Sequence, residues 1–449
     1  MNKKIMTVVL LTATLVLFLS SGTEAALNDL EGREIGLVCT GVPRGSVELR
    51  ERIAEVEARY NFDFKINRVS LENQVEEIIA ALEEGRQDYS IVQLLSSYSF
   101  ELLVEDQILH PLDEYIGDYY QQLPPQLQPV EDAAVIEGLT YAVPTVGADY
   151  SGYPFSNGFV VFWNREMFAE HNLPCLYELQ EYDNWTWEMM MELARELTAD
   201  TTGDGEIDRF GLGGYIGYPS FNIYLMSTFG APIMEIDRQG DPVFTLDDPR
   251  TVDAFEQLYR LFNEEPAVAT YEDIGSLTSA YLRGDLAMLI YPLHHLENIY
   301  EDTGLAYLPR GDYRQDYVVP VLQVELAGVP ITEPDPGVVV QIHDEIFAME
   351  NVEQVVASRA RDIAPDEESL ELYKEMSASW EIDPMMRVLS EVVGRDVDEE
   401  AAERFNTVEQ ELDNFMESLM FAEIRFEDVE GYLTDLNTRL NQALAAALE

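Results

Sequence analysis

Lysine is almost missing from this chain: it occurs only at Lys3, Lys4, Lys65 and Lys374 among 449 residues. Acidic side chains number 85 against 27 basic ones, for a formal charge of −58. A surface of that sign repels nucleic acid and anionic lipid, which excludes both as partners. Its self-repulsion costs stability in dilute buffer and is screened by dense salt. The acidic excess runs along the whole chain after residue 25, so the composition points to a protein that works in brine. Cysteine is equally scarce. Cys39 and Cys175 are too far apart in sequence to define a disulfide framework. Cys39 sits in a strongly apolar stretch, where a buried free thiol is common, and both are expected to be free. The five histidines and two cysteines leave little for a metal or thiol enzyme. The adjacent pair His294–His295 would diverge in a helix rather than share an ion. No G-x-S-x-G, G-x-x-x-x-G-K or H-E-x-x-H is present. Carboxylates for an acid/base pair abound, but none stands out from the solvated acidic background.

What is present is a large apolar fraction, 47%, in a chain long enough for two or more domains. Residues 1–25 read as an export signal: a basic start at Lys3 and Lys4, an apolar run over 5–19, and Thr23-Glu24-Ala25 as a small-residue cleavage site. That run is short for a membrane span, and no second candidate follows.

Beyond the signal the pattern alternates strand and helix. Residues 34–40 read as a strand. Leu49, Ile53, Val56 and Tyr60 mark a helix, and Phe62, Phe64 and Ile66 alternate as a strand. Val75, Ile78, Ile79 and Leu82 mark another helix, and 89–95 a further strand. This order predicts an α/β fold with an open, mainly parallel sheet. Ligands bind such sheets at the carboxyl ends of the strands, which points to the loop 40–46 and to Ser96, Ser97 and Tyr98. Further on, Val252, Phe255, Leu258, Tyr259 and Phe262 form one helix face. Phe405, Val408, Leu412, Phe415 and Leu419, then Val429, Leu433, Leu436 and Leu440, step by three and four. The last two runs are expected as helices packed on the second domain rather than as a coiled coil.

The most informative stretch is 185–211, W-T-W-E-M-M-M-E-L-A-R-E-L-T-A-D-T-T-G-D-G-E-I-D-R-F-G. Thr186 is placed to cap a helix, and Glu188 lies in its first turn. Trp187, Met190, Met191, Ala194 and Leu197 form its apolar stripe. The loop that follows sets Asp200, Asp204 and Asp208 at ligand positions of an EF-hand, with Gly205 at the turn, but Gly211 stands where a bidentate Glu belongs. Two readings remain open: a structural calcium held by the three aspartates, or a loop held by its own side-chain turns.

The same stretch resembles a signature of the extracellular solute-binding proteins of family 1, the carbohydrate-binding components of ABC importers. Gly138–Pro144 (G-L-T-Y-A-V-P), 160–168 (V-V-F-W-N-R-E-M-F) and 280–288 (A-Y-L-R-G-D-L-A-M) resemble further family segments in the same order. The resemblance implies a periplasmic-binding-protein-like fold, two α/β lobes joined by a multi-crossing hinge. It places residues 26–146 and 292–326 in an N-terminal lobe, and 147–291 and 327–449 in a C-terminal lobe. The chain would cross at 147–158 and return near Ile290–Pro292. The expected ligand is a sugar or oligosaccharide, captured between the lobes without catalysis and delivered to importer permease subunits by a monomer. No Cys follows the apolar run, so the lipid-anchored form common in the family is not expected; the protein would be periplasmic or secreted. A secreted hydrolase using an Asp/Glu pair is the rival reading, and a chemoreceptor's periplasmic partner is a third.

Sugars stack their C–H faces on aromatic rings and need paired donors and acceptors. Tyr98, Tyr150, Tyr153, Tyr215, Tyr218 and Tyr291, with Ser96, Ser97, Asp149, Asn157 and His294, are therefore the expected cleft residues. The other use of such tyrosines is ordinary packing with a hydrogen-bonded hydroxyl. The family often carries Trp at the second crossing; here those positions read Tyr291-Pro292-Leu293. No cofactor beyond that calcium is expected.

Overall fold

The structure, a computed structural model, describes residues 29–39, 47–70, 73–84, 89–96, 100–105, 107–124, 127–136, 138–145, 158–215, 223–238, 242–293, 302–321, 324–347, 366–382, 411–412, 414–421 and 423–448. Its first part follows the predicted alternation. Strand β1 (Arg33–Cys39) leads through helix α1 (Val47–Tyr60) to β2 (Phe62–Arg68), then through α2 (Gln74–Glu83) to β3 (Ile91–Leu95). Both β2 and β3 run parallel to β1, with Leu37 opposite Ile66 on one side and Ile91 on the other. The last five residues of β1 are all buried, which is why I-G-L-V-C reads as a continuous apolar run rather than an alternating one. β4 (Ala142–Pro144) closes this part of the chain.

The second part begins at β5 (Phe159–Asn164). Helix α3 (Trp187–Leu197) follows, then β6 (Phe210–Tyr215), α4 (Pro249–Asn263), β7 (Val268–Tyr271), α5 (Ile274–Arg283), β8 (Leu286–Pro292) and β9 (Thr303–Ala306). Together they form a five-stranded sheet of order β7-β6-β8-β5-β9. β5 is buried on both faces: Val160 and Phe162 pack on the α5 side with Leu277 and Tyr281, whereas Phe159, Val161 and Trp163 pack on the side of α3 and α4. Sequence patterning explains α3 directly. The Thr186 side chain accepts the Met189 N–H at 3.2 Å, and all five predicted stripe residues are buried. Glycine is required opposite the helix, because a Cβ at Gly211 would meet the Ala194 carbonyl oxygen at 2.0 Å.

The chain does not leave the second sheet at Ile290–Pro292, as expected from the sequence. β8 is the central strand of that sheet, and β9, expected in the first lobe, pairs antiparallel with β5. The path returns after β10 (Val319–Val321), and β11 (Glu325–Gly328) inserts between β3 and β4, antiparallel to both. The first sheet is thereby completed in the order β2-β1-β3-β11-β4. Residues 327 onward, expected in the second lobe, begin in the first: Ala327 and Gly328 belong to β11, and α6 (Pro336–Phe347) packs on α1. A short apolar strand fits the open edge of either sheet equally well, so local pattern alone cannot assign it.

The remaining elements lie against the second sheet and the crossing. α7 (Glu367–Met376) packs on β9, and β12 (Trp380–Ile382) pairs with β10. α8 (Val429–Leu448) buries Val429, Leu433, Leu436, Leu440 and Leu444 in the same cluster as Phe255 and Phe415, so it is a packed helix and not a coiled coil. Its Asn441 brackets Phe244, accepting from the Phe244 N–H at 2.8 Å and donating to its carbonyl at 2.9 Å. Asn437, one turn earlier, accepts from the Leu246 N–H at 3.0 Å. Phe405 and Val408 lie outside the described residues. Cys39 is buried, Cys175 is half-buried, and both are free thiols.

Candidate functional site

In the first lobe β1 and β3 end side by side, but they lead to helices and strands on opposite sides: β1 toward β2, β3 toward β11 and β4. Such a reversal in strand order opens a crevice at the carboxyl ends. Ser96 stands there. Its N–H donates to the Val324 carbonyl at 3.0 Å, and its hydroxyl oxygen accepts the Val324 N–H at 3.1 Å. Ser96 therefore fastens the returning chain to the end of β3. Ser97, Tyr98, Asp149, Tyr150, Tyr153, Asn157, Tyr218 and His294 lie outside the described residues.

In the second lobe Tyr215 ends β6 and is half-buried, and Tyr291 lies near the end of β8. The structure brings them together around a depression shared with Phe159, Tyr224, Phe262 and Ile274, with space of about 10 Å³, little more than one water occupies. Tyr291 is only 4% exposed; its hydroxyl shares a 2.8 Å hydrogen bond with Thr278, and its ring meets Phe162 edge-on at 6.4 Å. It is a core residue and not a cleft wall, because β8 is central in its sheet and buried throughout. Tyr224 stacks on Phe159 at 4.0 Å, and burial holds its hydroxyl well above the ordinary tyrosine pKa.

The acidic loop turns its carboxylates on itself. Asp200 accepts the N–H groups of Gly205 at 2.7 Å and Gly203 at 2.6 Å; Asp208 accepts the Thr201 N–H and hydroxyl, both at 2.8 Å. Asp204 accepts the Glu206 N–H at 2.9 Å. These bonds, foremost from Gly205 to Asp200 and from Thr201 to Asp208, lower both pKa values. Asp200, Asp204 and Asp208 do not converge, and no group of three or more His, Cys, Asp or Glu among the described residues is arranged to hold a metal ion. The local geometry is that of side-chain turns, because carboxylates spent on backbone N–H groups are not aimed at a common centre.

Sequence reasoning missed a polar chain at the end of the first sheet. Gln74, fully buried at the start of α2, donates to the Gln93 carbonyl; the Gln93 side chain, 4% exposed, donates to Glu325. The available signal was a glutamine inside the otherwise apolar strand I-V-Q-L-L. A wider depression of about 460 Å³ lies between α3 and α4, floored by Trp187 stacked on Phe229 at 5.1 Å and rimmed by the Arg195–Glu265 ion pair. Among the described residues no helix is long and apolar enough to cross a membrane.

Comparison with known proteins identifies the architecture. The GacH receptor of Streptomyces glaucescens, solved unliganded and with acarbose, superposes with a TM-score of 0.61 at 15% identity, covering 92% of this chain and 99% of that one. An ABC substrate-binding protein of Listeria monocytogenes in complex with cycloalternan gives 0.61 at 13% identity over 92% and 99%. An extracellular solute-binding protein of Staphylococcus aureus in complex with maltose gives 0.63 at 12% identity over 92% and 98%. At these identities the likeness shows the fold. No curated protein sequence matches the chain. The model of the family described as bacterial extracellular solute-binding protein matches residues 47–340, the span that contains both sheets from α1 through most of α6. On that match, the chain belongs to the bacterial extracellular solute-binding proteins.

Proposed function

We propose that the protein captures a neutral sugar or oligosaccharide between its two lobes and delivers it to the permease subunits of an ABC importer. The observation that carries this reading is the pair of open α/β sheets joined through β4–β5 and β10–β11, in a chain of the solute-binding family. The sugars bound by the similar structures, acarbose, cycloalternan and maltose, support the ligand class. Two lobes on shared crossings can open and close, and a ligand touching both favours the closed state by its differential contacts. The protein performs no chemistry in this reading. It acts outside the cytoplasm after removal of residues 1–25, as a monomer, in concentrated salt, where its charge of −58 is screened.

The test is titration calorimetry in molar salt with maltose, maltotriose and acarbose, with chromatography of the mixtures after prolonged incubation. Saturable binding with every sugar recovered intact supports the proposal. Release of shorter products favours a hydrolase, and no heat with any of the three refutes the sugar class.

A further inference from the structure

We propose that Glu325 is the carboxylate through which the first lobe grips the hydroxyl groups of the ligand, with Gln93 and Gln74 as positioning residues; this rests on the sugar-binding reading above. Glu325 is the first residue of β11 and lies opposite Leu95, the last residue of β3. It therefore stands at the carboxyl end of β3, beside the reversal in strand order where open α/β sheets bind ligands.

Its backbone cannot drift, because the preceding residue, Val324, is tied to Ser96 by two hydrogen bonds. Its side chain is held as well. Ala327 lies opposite Gln93, so Gln93 and Glu325 are diagonal neighbours on one face of the sheet. The Gln93 amide donates to Oε2 of Glu325, and Gln74 donates to the Gln93 carbonyl. Packing does not need amides at these buried positions; an apolar side chain would fill β3 without the cost of desolvating a polar group. Their placement instead fixes a half-buried carboxylate at the mouth of the lobe, the condition for a preorganised binding group.

An ionised carboxylate only accepts hydrogen bonds, and its two oxygens match the two O–H donors of a vicinal diol. The same charge repels uronic acids and sugar phosphates, so Glu325 selects for neutral sugars.

The experiment measures maltotriose and trigalacturonate binding by calorimetry for wild type, Glu325→Gln, Glu325→Asp and Gln93→Leu, with the melting point of each ligand-free protein. Loss of a hydrogen bond to a charged acceptor is expected to weaken maltotriose binding about ten- to a hundredfold in Glu325→Gln, with the apo melting point nearly unchanged. Glu325→Asp retains the charge and should recover part of the affinity; it also decides the matter if Glu325→Gln does not fold. Gln93→Leu should weaken maltotriose binding by a smaller factor and reduce the preference for maltotriose over trigalacturonate, which a purely structural role would not move. Wild-type affinity in both Glu325 variants overturns the assignment and leaves the sugar reading standing. A wild type that binds neither maltose, maltotriose nor acarbose removes the reading and the assignment together.

Discussion

Replacing Tyr291 separates a core tyrosine from a ligand-stacking one. Its ring is 4% exposed, meets Phe162 edge-on, and shares a 2.8 Å hydrogen bond with Thr278 on α5. Tyr291→Phe removes only the hydroxyl, so the loss is one buried neutral hydrogen bond, about 1 kcal/mol, plus whatever desolvation Thr278 then suffers. Tyr291→Ala empties the ring site in the central strand of the second sheet, and large aromatic-to-alanine changes in cores cost about 3–5 kcal/mol. If the second lobe melts as one unit, these translate to drops of roughly 2–4 °C and 6–20 °C. The assay is calorimetric melting of the ligand-free protein in molar salt, with sugar titration of the same preparations. A Tyr291→Ala protein that melts like wild type but no longer binds sugar would refute the core assignment and return Tyr291 to the cleft.

Three further outcomes follow from the structure. Thr186→Ala removes the cap of α3 and should cost about 1 kcal/mol, read as a lower melting point, whereas Thr186→Ser should restore most of it. Asp200 and Asp208 have lowered pKa values, so their stabilisation of the acidic loop is complete at neutral pH and is lost as the pH falls from the ordinary carboxylate value of 3.8 through the lower folded value. Amide exchange at Gly203, Gly205 and Thr201, corrected for intrinsic rates, should therefore lose protection only in that acid window; protection lost already near pH 6 would contradict the geometry. Melting in molar salt should lie well above melting in dilute buffer, because 85 carboxylates face 27 basic groups; equal values would remove the case for brine.

How much was legible in the sequence depended on distance along the chain. The amphipathic stripe of α3, its Thr186 cap, and the alternation from β1 through β3 are written within windows of a dozen residues, and the structure reproduces them. The same holds for the stripe of α8, whose spacing of three and four could have meant a coiled coil until packing against α4 decided otherwise. The acidic loop was half legible. Its turn residues were plain, but an aspartate oxygen serves a cation and a backbone N–H equally well, and only the fold of the loop shows Asp200 and Asp208 given to amides.

Periodicity reports which face of an element is buried and says nothing of what buries it. For that reason the sequence by itself determined the fold class, the helix faces, the absence of lysine-dependent partners and the family signature, all of which follow from local spacing and composition. Tertiary structure alone decided that β9 stays in the second sheet, that β11 and α6 belong to the first, and that Tyr291 points inward. It alone joined Gln93 to Glu325 across 232 residues of chain. Such pairings are set by which sheet edges remain open after the local elements form, a competition among long-range contacts that no window of sequence contains.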